Sequence, residues 1–284
     1  MTNKYYKCYN ADTLIEINPA EKIIEHIKKI DTLIRHLLKI QKDIVPSYID
    51  AFRMRLAGEV NNYSIDYKLM KLDEIQDDLE YLKVDDQLTS LVIRFMSKKL
   101  AIEENSKIVS EISKFTSLNW AKSFECLSYC RVKAFTDILG KDEGLNLYTK
   151  VIKSYITERN KKSKIDETQT VKSRNERAAK RWCKEGITDF TFTFIDDDQV
   201  IYRFDRCVTH EALKDYNDPD IAYAASCYIA DIEEWNQGDV IHLRRTQTLH
   251  HGDFCDELYY DTRVHKKPPK QPTLEFTKSI GKKK

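Results

Sequence analysis

The stretch DFTFTFIDDDQVIYRF, Asp189 to Phe204, decides the fold of the C-terminal part of this chain. From Asp189 to Ile195 aromatic and polar residues alternate, which puts Phe190, Phe192 and Phe194 on one face of a strand. Asp196-Asp197-Asp198 supplies a turn and Gln199 to Phe204 resumes as a strand, so the segment reads as a β-hairpin. Two short helices are expected next, from about Cys207 to Tyr216 and from Asp220 to Trp235, parted by the breaker Asn217-Asp218-Pro219. A second hairpin follows: Val240 to Leu249, a turn at His251-Gly252-Asp253, then Phe254 to Tyr260. The order ββααββ over 189–261 predicts an antiparallel sheet with helices packed on one face.

Upstream the period is helical. Ile23, Ile27, Ile30, Leu33, Ile34, Leu37 and Leu38 recur every three or four residues and predict an amphipathic helix from Pro19 to about Ile40. Further helices are expected over Pro46–Gly58, Asp66–Leu82, Asp85–Ser97, Glu103–Phe115, Asn119–Leu139 and Asp142–Glu158. The stripes are short and broken by Pro46, Gly58 and Gly140, which favours a bundle over a coiled coil. The chain is thus expected to be α+β: a helical region over 1–158, a charged connection over 159–188 that is either a solvated linker or a surface helix, and the sheet domain. The last segment, 262–284, carries seven lysines, one arginine and three prolines against one glutamate and is expected to be a disordered basic tail that can be removed without loss of fold. Its charge of +7 offsets −6 in the rest of the chain.

With 47 basic and 46 acidic side chains in 284 residues, no strong field draws the protein to nucleic acid or to an anionic membrane. Apolar runs such as Ile221 to Ile229 are far shorter than the roughly 20 residues of a membrane helix. The N-terminus lacks the pattern of a secretory signal. A cytoplasmic location with seven reduced cysteines is therefore expected. A protein partner for the helical region or for the basic tail remains open.

Three non-adjacent cysteines, Cys207, Cys227 and Cys255, fall inside the sheet domain, each near a histidine or carboxylate. Cys207 is placed at a helix start, where free N–H groups favour a thiolate, and His210 and Glu211 share its face. Cys227 and Asp231 are four apart on the expected second helix. Cys255 follows the turn, with His250 and His251 before it and Asp256 on the opposite face of its strand. The three are expected to meet at one end of the domain, either as a functional cluster or as small buried hydrophobes. Cys126 and Cys130, beside Trp120, Phe124 and Leu127, read as core. The cysteine gaps match no common zinc or iron–sulfur spacing, and no phosphate-binding glycine loop or GxSxG elbow occurs. In a strand over Arg244–Leu249 one arginine faces inward, with Asp231 or Asp256 as its structural partner or a substrate carboxylate as its functional one.

The string RRTQTLHHGDFCDELYYD, Arg244 to Asp261, resembles the C-terminal signature of the L-2-amino-thiazoline-4-carboxylic acid hydrolase family, and Arg206-Cys207 and Cys227-x-x-x-Asp231 resemble its other marked segments. The likeness covers about Asn119 to Asp261. It implies a ring-opening hydrolase acting on a cyclic C=N group of a small amino acid. Carried over residue by residue, it assigns Cys207, Cys227, Asp231, Cys255 and Asp256 to the site, with Arg245, Thr248 and Gly252 shaping it. Glu257 departs from the family, which usually has Phe there. The residues themselves suggest a thiolate adding to the C=N carbon while an Asp or His moves protons, or attack by metal-bound water. As nucleophile Cys255 comes first, because Asp256 and His250 are local, and Cys207 second. No cofactor is specified; a divalent metal or an iron–sulfur cluster stays open. The rival readings are a non-catalytic module that binds a small molecule or a metal, and a structural protein whose helical half engages a partner.

Overall fold

In the computed structural model, which describes residues 4–70 and 72–280, the chain divides into two units, Met1–Thr13 with Ile156–Lys284, and Leu14–Tyr155. The elements in chain order are β1 (Lys4–Lys7), β2 (Leu14–Ile17), α1 (Pro19–Ile40), α2 (Val45–Val60), α3 (Asp86–Lys99), β3 (Ser113–Thr116), α4 (Ser117–Leu139), α5 (Lys141–Lys162) and α6 (Val171–Lys184). Then come β4 (Thr188–Asp196), β5 (Gln199–Cys207), α7 (Val208–Leu213), α8 (Pro219–Ser226), α9 (Glu233–Asn236), β6 (Ile241–Arg244), β7 (Cys255–Asp261) and α10 (Leu274–Ile280). The α+β class holds, with helices first and an antiparallel sheet after them.

In Leu14–Tyr155 the helices start and stop where local chemistry requires. Asn18 caps α1 by accepting the Glu21 amide, Pro19 occupies its first turn, and Ile23, Ile27, Ile30, Ile34 and Leu37 are buried along one stripe. Gly140, at φ +81°, ends α4 in a conformation that an L side chain rarely adopts. The helices α2, α3 and α4 pack against one another as a bundle. Two expected helices do not form. Lys68–Met70, Leu72–Asp78 and Leu82–Val84 form 3₁₀ turns instead, because the Asp31 carboxylate captures the amides of Glu80, Tyr81 and Leu82 and holds that end of the segment against α1. A three-residue apolar spacing suits a 3₁₀ turn as well as an α-helix. The expected helix at 103–115 is replaced by a turn with Asn105 at φ 61° and by β3, which pairs with β2 in the register Leu14↔Thr116.

The other unit is built on a five-stranded sheet in the order β1-β4-β5-β7-β6, antiparallel throughout. The β4–β5 hairpin forms as its alternation demands. Phe190, Phe192, Val200, Tyr202, Phe204 and Cys255 make one buried layer, and each large side chain removed from water there contributes about 2 kcal/mol. This face is covered by α6 through Val171, Ala179 and Trp182, whose ring meets Phe190, Tyr202 and Phe204 edge-on. The connection over 159–188 is thus largely structured: a Thr170–Ser173 capping box starts α6, and apolar residues on one face of an otherwise charged helix seat it on the sheet.

The structure differs from the sequence pattern in four further respects. The tail is not disordered over its described part, since α10 lies on the other face of the sheet and Ile280 packs with Ile201 and Leu258; residues 281–284 lie outside the described residues. Helices therefore cover both faces rather than one. The division between units falls at Tyr155 rather than 158, and Met1–Thr13 joins the sheet unit because β1 adds an edge to β4 in the register Tyr6↔Phe190. Finally, Cys8 and Cys183 form a disulfide, with Cα atoms 4.7 Å apart, so seven reduced thiols are not what the chain holds. A cytoplasmic location no longer follows from the cysteines. Among the described residues no helix is long and apolar enough to cross a membrane.

Candidate functional site

The site grows from the end of the sheet where β5 stops and β7 begins. Cys207 is the last residue of β5 and the N-cap of α7; it pairs with Thr188, two residues from Phe190. Cys255 opens β7 opposite Phe204 and points into the layer under α6, where its sulfur accepts the Leu249 amide at 3.1 Å. Cys227 caps the C-terminus of α8. The expected helix from Asp220 to Trp235 stops at Ser226 and continues as a 3₁₀ turn over Tyr228–Ala230, so Cys227 and Asp231 do not share a helix face. Burial pushes the Cys255 thiol well above its ordinary value, and charge on Cys227 or Cys207 would push it further. Cys207 and Cys227 are each partly exposed, whereas Cys126 and Cys130 are core, with burial raising the Cys130 thiol.

The second expected hairpin is much looser than its pattern suggests. Only Ile241–Arg244 pairs with β7, and 245–254 is an irregular loop held by the fully buried Asp256. The Asp256 carboxylate accepts the Thr246 amide (2.9 Å) and hydroxyl (2.6 Å), the Gln247 amide (2.7 Å) and the Gln271 side-chain amide (3.0 Å). It lies on the face opposite the Cys255 thiol and serves as the loop's organiser. Gly252 is required because a Cβ would collide with the Gln247 side chain, which reaches across to the Phe254 carbonyl. Thr248 is buried, and its hydroxyl has no hydrogen-bond partner among the described residues.

Arg245 is the hub. Its Nε donates to Asp231 Oδ1 (2.6 Å), one terminal nitrogen to Glu257 Oε1 (2.9 Å) and the other to the Cys227 carbonyl (2.5 Å). With its side chain 6% exposed and all three edges used, Arg245 has the structural partner of the two considered and is not placed to receive a substrate carboxylate. Burial raises both the Asp231 and Glu257 carboxyl pKa values, and the guanidinium opposes that rise. Tyr223 donates to the free side of Asp231 (2.7 Å) and Tyr259 to that of Glu257 (2.7 Å). Glu257 is thus the second carboxylate of a buried triad.

Above this triad the Ser226 hydroxyl lies 2.6 Å from the Ala222 carbonyl, 3.1 Å from His250 Nε2 and 3.6 Å from Cys227 Sγ. The His250 ring faces that of His210 at 5.3 Å. Burial, reinforced by the nearby cationic groups, lowers the His250 pKa to about 4, so the ring is neutral near pH 7. His251 turns away to Asp220 (3.0 Å) and the Tyr223 ring. Ser226, Tyr223 and Glu257 were not among the expected site residues. Their roles depend on where α8 ends and on the path of the loop, neither of which has a local sequence signal. Among the described residues no group of three or more His, Cys, Asp or Glu is arranged to hold a metal ion.

Fold and site together define an α+β protein with a thiol, imidazole and guanidinium cluster at one end of an antiparallel sheet. Residues 120–259 match the model of the L-2-amino-thiazoline-4-carboxylic acid hydrolase family. A search of curated proteins and a search of solved structures found no match.

Proposed function

We propose that the protein is a hydrolase that opens the C=N ring of a small thiazoline amino acid such as 2-amino-thiazoline-4-carboxylate, with Cys227 as nucleophile. The family match over residues 120–259 supports the reaction class. The observation that carries the choice of residue is the chain from Cys227 Sγ through the Ser226 hydroxyl to a neutral His250, beside the Arg245 cation. Cys255 is less suited than the sequence suggested, since its thiol is buried and its proton held more tightly.

When the Ser226 hydroxyl turns from the Ala222 carbonyl to His250 Nε2, it passes the Cys227 proton to the imidazole. The thiolate then bonds to the ring carbon between nitrogen and sulfur. Collapse of the adduct breaks the ring C–S bond, and the ring sulfur recovers the proton from His250. Water adds to the resulting carbamimidoyl thioether, the bond to Cys227 breaks, and the product is a carbamoyl-cysteine. One water is consumed and the enzyme thiol returns.

The experiment is turnover of 2-amino-thiazoline-4-carboxylate followed by release of free thiol. Cys227→Ser should abolish it and His250→Gln should slow it by about 10²–10⁴-fold, with both variants folded. Full activity in Cys227→Ser would sink the assignment of the nucleophile, and an inert wild type would sink the reaction.

A further inference from the structure

A cavity of about 470 Å³ opens between α6 and the sheet, away from Cys207, Cys227 and Cys255. It lies at the other end of the β5–β7 ladder: Val200 and Tyr259 pair there, whereas Phe204 pairs with Cys255, four residues or about 13 Å along the strand. Its volume falls in the range of small-ligand sites, about 300–1,000 Å³.

The chemistry of its walls is one-sided. Arg174, Arg177 and Arg181 recur at three- and four-residue spacing, so α6 turns all three guanidinium groups to the same side, and no carboxylate lines the cavity. Arg174 is matched by Asp239 at 2.6 Å. Arg177 is held by the neutral carbonyl of the Gln169 side chain at 2.5 Å, and Arg181 has no ion pair among the described residues. Like charges at this spacing repel; Asp166 acts on Arg177 from outside the cavity, and neither Arg177 nor Arg181 has a carboxylate paired with it at the cavity mouth among the described residues. The floor and side are aromatic: Tyr202, Tyr259 and Trp182. The Tyr202 hydroxyl is turned to Asn175 and the Tyr259 hydroxyl to Glu257, so neither phenol is a free donor; Tyr202 is buried beneath the cavity, and the accessible aromatic surface is that of Tyr259 and Trp182. Arg174 already stacks on Tyr259, its guanidinium carbon 4.9 Å from the ring centroid.

We infer that this cavity is a second binding site, for a small planar ring that carries a phosphate group. The ring lies against Tyr259 and Trp182, and the phosphate takes the two guanidinium groups of Arg177 and Arg181, which donate in the fork geometry that phosphate accepts. A dianion matches two cations that lack a paired carboxylate better than a carboxylate does. The proposal does not rest on the hydrolase reading: Tyr259 borders both sites through its bond to Glu257, but Arg177 and Arg181, which take the phosphate, make no hydrogen bond or ion pair with Cys227, Ser226, His250 or Arg245.

The test uses the full chain and three probes, phenyl phosphate, inorganic phosphate and benzyl alcohol, with tryptophan fluorescence and thermal stability as readouts. Phenyl phosphate should bind saturably and at least about tenfold tighter than either fragment, since it alone combines ring and charge. Arg177→Ala with Arg181→Ala should weaken it by more than about tenfold, and both side chains are exposed, so the variant folds. Lys180→Ala, on the same helix but outside the cavity, should bind as wild type does. Thiazoline turnover should be unchanged in the double variant, which separates failure of this site from failure of the catalytic proposal. No saturable binding to the wild type, or equal binding by the double variant, would overturn the inference.

Discussion

Replacing Arg245 by Met should be the most damaging single change at the cysteine end of the sheet, and its effect should depend on pH in a defined direction. The wild-type guanidinium makes charge-assisted contacts of 2.6 Å with Asp231 and 2.9 Å with Glu257 and a further bond of 2.5 Å to the Cys227 carbonyl. Met conserves much of the volume but leaves two largely buried carboxylates facing each other with no cation. Breaking a buried ion pair costs about 3–5 kcal/mol at neutral pH, which for a unit of this size corresponds to a fall in Tm of about 10–15 °C. Both carboxyl pKa values are already raised by burial in the native state, and without the cation they rise further. A folded-state pKa above the unfolded value means that the native form binds protons more tightly, so stability is regained as pH falls and lost as it rises through the raised values. Thermal melts of wild type and variant at neutral pH and in mild acid should therefore show a gap that narrows on acidification. Arg245→Lys should fall between the two, since an ammonium keeps the charge but not the fork. An Arg245→Met variant as stable as wild type at neutral pH, or a deficit that grows in acid, would refute the reasoning.

Truncation after Asp261 should destabilise the sheet unit by about 3 kcal/mol, about 2 from exposing Ile280 and its neighbours Ile201 and Leu258 and about 1 from loss of the Gln271 bond to Asp256; an unchanged Tm would show that α10 contributes nothing. His250, held at a pKa of about 4, should show no imidazole titration by NMR between neutral pH and mild acid. Because that value lies below the unfolded one, His250 should cost stability as pH falls from about 6.5, on the order of 3 kcal/mol by pH 4, and a ring titrating near its ordinary pKa would contradict its burial. Reducing the Cys8–Cys183 disulfide, or Cys183→Ser, should lower stability by up to about 5 kcal/mol on loop-closure entropy, given its separation of 175 residues; identical urea unfolding with and without reductant would show the bond to be dispensable.

Much of the architecture was legible because it rests on local periodicity. The strict alternation from Asp189 to Ile195 can bury its phenylalanines only as a strand, and the stripe from Ile23 to Leu37 only as a helix, so β4, β5 and α1 lie where the pattern puts them. Where two structures share a spacing, pattern could not choose. The leucines between 69 and 79 suit a 3₁₀ turn or an α-helix, and the choice fell to Asp31, some fifty residues earlier, which takes the amides at the segment's end. The tail's lysines and prolines read as disorder, yet Phe276 and Ile280 suffice to seat it once the sheet offers Ile201 and Leu258.

At the site, sequence alone determined that three cysteines, two histidines and an arginine lie on elements that a single sheet can gather, because strand and helix order set which chain ends share an edge. Only the tertiary structure decided what each of them faces. Whether Arg245 meets a substrate or Asp231 and Glu257, whether Cys255 is open or buried, and whether His250 reaches Ser226 all depend on the path of residues 245–254. That path follows no periodic pattern. It is set by hydrogen bonds from loop amides and the tail to one buried carboxylate, Asp256, and such bonds join residues far apart in the chain whose pairing no local rule encodes.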